Sequence, residues 1–463
     1  MRSFQAAPLG EGSVRLVEAR VPLPAETDPL ALLESFPDEP CFLWEDCSSG
    51  EAIACVGAVY TIETSGAGRF AQAASEIADL SVVAGSGPSP TPASAGGATE
   101  GAANRAAELA ATPLVVGGFA FDPLPAPSAA WQGWPAACWW VPRLGLVRRA
   151  GAVTLVATAP ASTGLGATRV QLERALEVLA RPLRLALPAA PARYELAATQ
   201  PIEAWRSAVE TTLAEIAAGR LEKLVLSRAC RVVADEALSP LRVLRRLRDA
   251  HPGATVYAVG RGASVLVGAT PELLASVREG VIRTAAVAGT VARGGSAEHD
   301  RALADLLRTS AKERREHALV VDELVRVLRP LCTRLEVAGE PELLTTDTLR
   351  HLRTPIRGRL RDGVGLLDVV ARIHPTPAIA GSPRALALAA LGARESRGWY
   401  GGGVGWLDSG GGAVSVAIRA ALLEGRQALL QAGAGIVAGS RWEAELEEVR
   451  LKLRPLIAAL VEL

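Results

Sequence analysis

The sequence predicts an α+β protein, and two patterns carry that reading. Short segments rich in β-branched residues follow one another with glycine-containing turns between some of them, as in hairpins. Among them stand much longer stretches in which apolar residues recur every three or four positions, as in amphipathic helices. Hairpin strands mixed with long helices point away from a parallel βαβ sheet. With 463 residues, 49% of them hydrophobic, the chain has material for one large domain or two smaller ones.

Taken in order, the first break is Gly85 to Asn104, built from Gly, Pro, Ser, Thr and Ala without apolar periodicity, which reads as a surface loop. Trp131, Trp134, Trp139 and Trp140 then fall within ten residues. Packing between sheets is the favoured reading of such a cluster over a binding platform. A Pro/Ala-rich stretch from Leu185 to Glu195 reads as a link between two halves. Beyond it, KLVLSRACRVVA (Lys223 to Ala234), ATVYAV (Ala254 to Val259) and SVLVGA (Ser264 to Ala269) read as strands. Residues 300–329 read as one long helix, through Leu303, Leu306, Leu307, Val320, Val321, Leu324 and Leu328. The terminal WEAELEEVRLKL repeats the spacing with Trp442, Leu446, Val449 and Leu453.

Composition narrows the function. Lys plus Arg and Asp plus Glu both number 49, so the net charge is zero and neither nucleic acid nor an anionic membrane suits the chain as a main partner. The N-terminus has no apolar run of a signal peptide, and no segment has the uninterrupted apolar length of a membrane span. The six cysteines are scattered with no C-x-x-C pair, against structural zinc or a disulfide framework. A soluble protein with buried thiols in a reducing cytoplasm is the expectation.

The helical stripes are interrupted where chemistry is suggested. The first meets Glu313, Glu316 and His317; the second is bordered by Glu445, Glu448 and Lys452. Carboxylates three apart share a helical face, and at the margin of a buried stripe they require a cation. Two such helices together would form an oxygen-rich site better suited to Mg²⁺ than to zinc. Solvated glutamates paired with Arg314, Arg315, Arg441 or Arg450 explain the same pattern, and the residues alone leave both readings open. The glycine-rich stretches Gly398–Gly412 and Ala432–Ser440 match neither a dinucleotide fingerprint nor a phosphate loop. Their N–H groups could surround an anion, or they could be tight hairpin turns. Arg419 interrupts an apolar strand, and an arginine so placed calls for an anionic partner such as a carboxylate.

KLVLSRA, TPELL, AVAGT, LLRTSAKERREHALVVDEL, HLRTPIRG, HPTPAIAG, RGWYGGGVGW, VAIRAAL and AGAGIVAGS occur in that order over residues 220–455. The ordered set resembles the chorismate-utilising enzymes, and Pro113 to Pro123 resembles their N-terminal half. The resemblance implies one unit over residues 1–463: large antiparallel sheets packed face to face, helices outside and the active site at one end. An N-terminal half (1–190) would adjoin a catalytic C-terminal half (195–463). It implies Mg²⁺ on Glu316 and Glu448, with Glu313 and Glu445 holding metal-bound water. Lys223 matches the base of the water-adding members, which demands surroundings that disfavour its ammonium form. Glu272 matches the general acid and must stay protonated. Tyr400 and Arg419 match contacts to the enolpyruvyl carboxylate. Lys452 and the N–H groups around Gly433 and Gly435 match further carboxylate contacts, and Gly289 and His351 fall on the pocket. His374 is expected to shape a turn.

The implied activity is that of an isochorismate synthase, which moves a hydroxyl from C4 to C2 of chorismate for menaquinone or siderophore synthesis. A salicylate synthase is the nearest alternative and an amine-adding synthase a more distant one; no obligate protein partner is expected. Two departures stand out. Gly401, Gly402 and Gly403 replace Ala-Gly-Pro, which should loosen the turn after Tyr400. Glu445-Leu446-Glu447-Glu448 replaces Glu-Trp-x-Glu, which sets Glu447 beside the expected ligand.

Overall fold

The computed structural model describes residues 13–86, 112–181, 190–346, 348–392 and 396–461. Two large sheets dominate it, of 13 and 10 strands among the described residues. The first runs Tyr194–Ala198, Lys223–Ala234, Gln427–Val437, Ala420–Glu424, Ser264–Thr270, Thr255–Arg261 and Cys41–Asp46 before reaching the remaining N-terminal strands. The second includes Val281–Ala292, Leu273–Arg278, Gly411–Val416, Gly403–Asp408 and Val115–Phe119 as neighbours. Each sheet thus draws strands from before residue 190 and after residue 195. Pairing is antiparallel as expected, apart from Val14–Leu23, which runs parallel to Leu80–Ser86.

Strand alternation explains why the sheets pack face to face. Along Thr255–Arg261, Tyr257 and Val259 enter an inter-sheet core with Phe42, Trp44, Trp140 and Trp406, while Val256 and Ala258 face the helices on the other side. Both faces are buried, so the strands read as almost continuous apolar runs. Trp131, Trp134 and Trp140 of the tryptophan cluster belong to this interior, whereas Trp139 faces the other core. Trp140 meets Phe42 edge-on with ring centroids 6.0 Å apart, and Trp134 meets Trp399 at 5.0 Å. No described helix is long and apolar enough to cross a membrane.

The helix expected over 300–329 is two helices, Ala297–Thr309 and Ala311–Leu328. Ser310 divides them, its hydroxyl accepting the Glu313 N–H at 3.3 Å as an N-cap. The S-x-x-E signal lies at Ser310–Glu313, but leucine periodicity runs through the joint and hides it. The predicted loop 85–104 begins inside the strand Leu80–Ser86, and its remainder from residue 87 lies outside the described residues. Residues 185–189 of the predicted link also lie outside them, whereas Tyr194 and Glu195 open an edge strand.

Candidate active site

The cleft forms where two neighbouring connections cross from one sheet to the other. Ser264–Thr270 in the larger sheet passes through Pro271 and Glu272 into Leu273–Arg278 in the smaller. Gly411–Val416 returns through Ala417–Arg419 into Ala420–Glu424. The Val416 N–H donates to the Glu272 carbonyl at 2.9 Å, holding the crossings side by side. Arg419 is therefore at the bend before the strand, with φ 53°, and not on the strand where the sequence placed it.

Lys223, Glu272, Gly289, Glu316, His351, Tyr400, Arg419, Gly433, Gly435, Glu448 and Lys452 all line this cleft, which holds about 720 Å³ including its open mouth. They come from segments up to 229 residues apart in the chain, counting from Lys223 to Lys452. Glu313 and Glu445 are not among the residues that line it.

Lys223 opens its strand, is 1% exposed, and places Nζ 2.8 Å from Glu316 Oε1. Lys452 donates to Glu448 Oε1 at 2.6 Å and to the Gly433 carbonyl at 2.8 Å. Lys312 spans the helices, 3.1 Å from Glu445 Oε1 and 3.4 Å from Glu313 Oε1. The four glutamates thus gather around lysines and not around the arginines weighed from sequence. Glu447 points outward to Arg450 and Arg454, leaving Glu448 to face the cleft. Burial and the adjacent Glu316 raise Glu313 above the ordinary carboxylate range, although Lys312 and the Thr290 N–H oppose this. Burial and Glu448 do the same to Glu445. Lys312 was not singled out from the sequence, since nothing local announces a contact to a residue 133 positions away.

Glu316 and Glu448 each bring a carboxylate to the cleft, paired there with Lys223 and Lys452. Among the described residues no three His, Cys, Asp or Glu side chains converge as a ready-made metal cage. Mg²⁺ is commonly held through one or two carboxylates, with water and substrate completing its octahedron, so a two-carboxylate site fits it.

Burial raises the Glu272 carboxyl to about 7, against the opposing pull of Lys223, Lys452 and Arg419. His351 is neutral: burial, reinforced by Arg419 and Lys452, holds it well below the usual imidazole range. Its Nδ1 lies 3.0 Å from Thr290 Oγ1 and its Nε2 3.5 Å from an Arg419 nitrogen. Tyr400 is pushed up to about 12 by burial, although Arg397 and Arg419 oppose it. Arg419 is half-buried between this cleft and a neighbouring one lined by Leu247, His251 and Thr346, and burial lowers it to about 10. Among the described residues no carboxylate forms an ion pair with it. A guanidinium with no carboxylate partner in the chain is suited to binding one from a ligand.

Glycines shape the walls for two separate reasons. Gly289 sits at a bulge with φ 76°, which turns the Thr290 N–H toward Glu313 Oε2 at 2.9 Å. Gly435 is extended, but a Cβ there would stand 2.5 Å from Glu316 Oε1 and 2.9 Å from Lys223 Cε. Opposite Gly435, Val225 turns its N–H to Ala380 and its carbonyl to Arg397, away from the Gly435 strand. Gly435, and by alternation Gly433, therefore point their own N–H groups toward the edge that Ala420–Glu424 leaves open.

The glycines after Tyr400 do not loosen its turn. Gly401 donates to the Ala417 carbonyl at 2.8 Å and Gly402 to Trp399 at 3.0 Å. A Cβ on Gly402 would meet the Phe119 carbonyl at 1.9 Å, so close strand approach is what needs these residues. Arg397, just before the turn, also lines the cleft. It donates to Ile379 O at 2.8 Å and Val225 O at 2.6 Å and lies over the Phe121 ring. The sequence offered its position in RGWYGGG but no sign of these contacts. His317 turns from the cleft: Nδ1 donates to the Ala288 carbonyl at 3.3 Å and Nε2 accepts from Thr354 Oγ1 at 2.7 Å. His374 ends the helix Leu366–Ile373, donates from Nε2 to Phe121 O at 3.1 Å and is held by burial at about 3.

This cleft between two sheets belongs to a known class. The chain matches the family model described as "Chorismate binding enzyme" over residues 4–461, and it is a member of that family. It is 36% identical over 356 residues to the salicylate biosynthesis isochorismate synthase of Pseudomonas aeruginosa, covering 75% of this chain and 74% of that one. It is 33% identical over 353 residues to isochorismate synthase MenF of Bacillus subtilis, with the same coverage of each chain. The structure of MenF, the menaquinone-specific isochorismate synthase from Escherichia coli, superposes with a TM-score of 0.78 at 25% identity, covering 97% of this chain and 95% of that one. Anthranilate synthase component I from Streptococcus pneumoniae shares the fold, with a TM-score of 0.66 at 20% identity over 98% of this chain and 95% of that one.

Proposed function

We propose that the chain is an isochorismate synthase, converting chorismate to isochorismate with Mg²⁺. The observation that carries this reading is a buried lysine and a carboxyl raised to about 7, Lys223 and Glu272, in one cleft beside Arg419, which pairs with no described carboxylate. A water-for-hydroxyl exchange needs one group to take a proton and another to give one. Lys223 takes a proton from the water that bonds to ring carbon C2. Both ring double bonds shift, the C4–O bond breaks, and Glu272 protonates the departing hydroxyl. Water enters and water leaves, so substrate and product are isomers; return of the proton from Lys223 to Glu272 resets the enzyme.

Arg419 and Tyr400 hold the enolpyruvyl carboxylate, and the Gly433 and Gly435 N–H groups with Lys452 supply further anion contacts. Glu316 and Glu448 would hold Mg²⁺, with Glu313 and Glu445 behind them. When bound, the ion supplies positive charge that orients the ring carboxylate.

The test is incubation of purified protein with chorismate, with and without Mg²⁺ and with an ammonium salt, followed by chromatography. Isochorismate without pyruvate, lost on chelation with EDTA, is the expected result. Salicylate with pyruvate would replace this reading with a salicylate synthase, an aminated product with an amine-adding enzyme. Gly435→Ala tests the wall independently. Its methyl displaces both Glu316 and Lys223, so kcat/KM should fall about 10²-fold, the order expected for a misplacement near 1 Å. Steady-state kinetics equal to wild type would remove Gly435 from the site.

A further inference from the structure

Tyr257 and Gly268 do not line the cleft, yet their geometry leads to Arg419. Tyr257 is fully buried between the sheets, and Gly268 is its direct cross-strand partner. On its other edge Gly268 faces Ala420, the residue after Arg419. A Cβ on Gly268 would stand 2.4 Å from the Tyr257 hydroxyl oxygen and 2.7 Å from the Arg419 carbonyl. The tyrosine therefore crosses the gap left by the glycine, and its hydroxyl donates to the Ile418 carbonyl at 3.0 Å. The Arg419 carbonyl is fixed in turn by the Ala269 N–H at 3.3 Å.

These two bonds clasp the bend on either side of a residue whose backbone is disfavoured. At φ 53° Arg419 occupies the left-handed region, where a Cβ is crowded by its own backbone. The Ile418 carbonyl belongs to the peptide unit about which that φ is measured. If Tyr257 releases it, the buried carbonyl regains a partner only by turning, and the Arg419 side chain turns with it.

We propose that Tyr257, given room by Gly268, is a positioning residue that holds the Arg419 guanidinium in the cleft for the substrate carboxylate. The inference rests on the reading of Arg419 given above, and its test separates the two. Tyr257→Phe removes one oxygen and keeps the ring. It should raise KM for chorismate about tenfold, with kcat within about threefold, because the lost contact serves binding and not chemistry. Gly268→Ala, which pushes on the same bend from the other strand, should raise KM in the same way and serves if the tyrosine variant does not fold. Trp44→Phe is the control for plain core damage. Trp44 donates to Ser415 Oγ at 3.1 Å in the same interior and neighbours Tyr257 across the sheet without lining the cleft. It should lower the melting temperature without moving KM. Arg419→Lys is measured alongside. If it raises KM strongly while Tyr257→Phe and Gly268→Ala leave KM within twofold, the positioning role is overturned and the carboxylate reading stands. If Arg419→Lys leaves KM unchanged, both fall.

Discussion

Lys223→Gln is expected to lower kcat by about 10²- to 10⁴-fold, the span of a lost general base, while leaving the protein folded. The lysine is 1% exposed and touches Glu316 through Nζ at 2.8 Å. Glutamine fills most of the same volume and can still donate a hydrogen bond to Glu316, so neither a large cavity nor a bare carboxylate is left. It cannot accept a proton from water. Circular dichroism and a melting curve close to wild type, with isochorismate formation nearly gone, are the expected pair of results. Full turnover in this variant would sink the assignment of Lys223 as the base.

Glu272→Gln should cost a similar factor in kcat, and it carries a pH signature that Lys223→Gln lacks. Burial holds the Glu272 carboxyl at about 7 in the folded chain, against 4.5 for an ordinary glutamate. The acid must be protonated to give its proton to the leaving hydroxyl, so wild-type kcat/KM should fall as pH rises through about 7. Stability follows the same group. A folded value above the unfolded one means that folding favours the protonated form. Its contribution is complete below about 4.5 and is lost as pH rises through about 7. Glutamine has no proton to lose there. The variant's melting temperature should therefore decline less between pH 5 and pH 8 than that of wild type. An alkaline limb in the residual activity of Glu272→Gln identical to wild type would assign that limb to another group.

The fold was legible where local patterning is strong. The segment Lys223 to Ala234 is a strand over the range read from its β-branched residues, and the terminal helix begins at Trp442 as its spacing indicated. Ser310 shows the limit: one capping hydroxyl ends a helix, while the leucines on either side keep a common period. Arg419 shows another. An arginine inside VAIRAAL looks like a strand residue because one sequence position does not reveal a positive φ or a change of sheet.

For the site, sequence by itself determined which residue types were present and in what order: Lys223, Glu272, the two glutamate pairs, Arg419 and the glycines. That order was enough to point to chorismate chemistry. Only the tertiary structure decided what each residue meets. It put Lys223 on Glu316, joined Glu313 and Glu445 through Lys312, raised Glu272 by enclosing it, and left Arg419 in the cleft with no ion pair to a described carboxylate. Proton affinity and ion pairing depend on burial and on distances of a few ångströms, and those are set between strands and helices far apart in the chain.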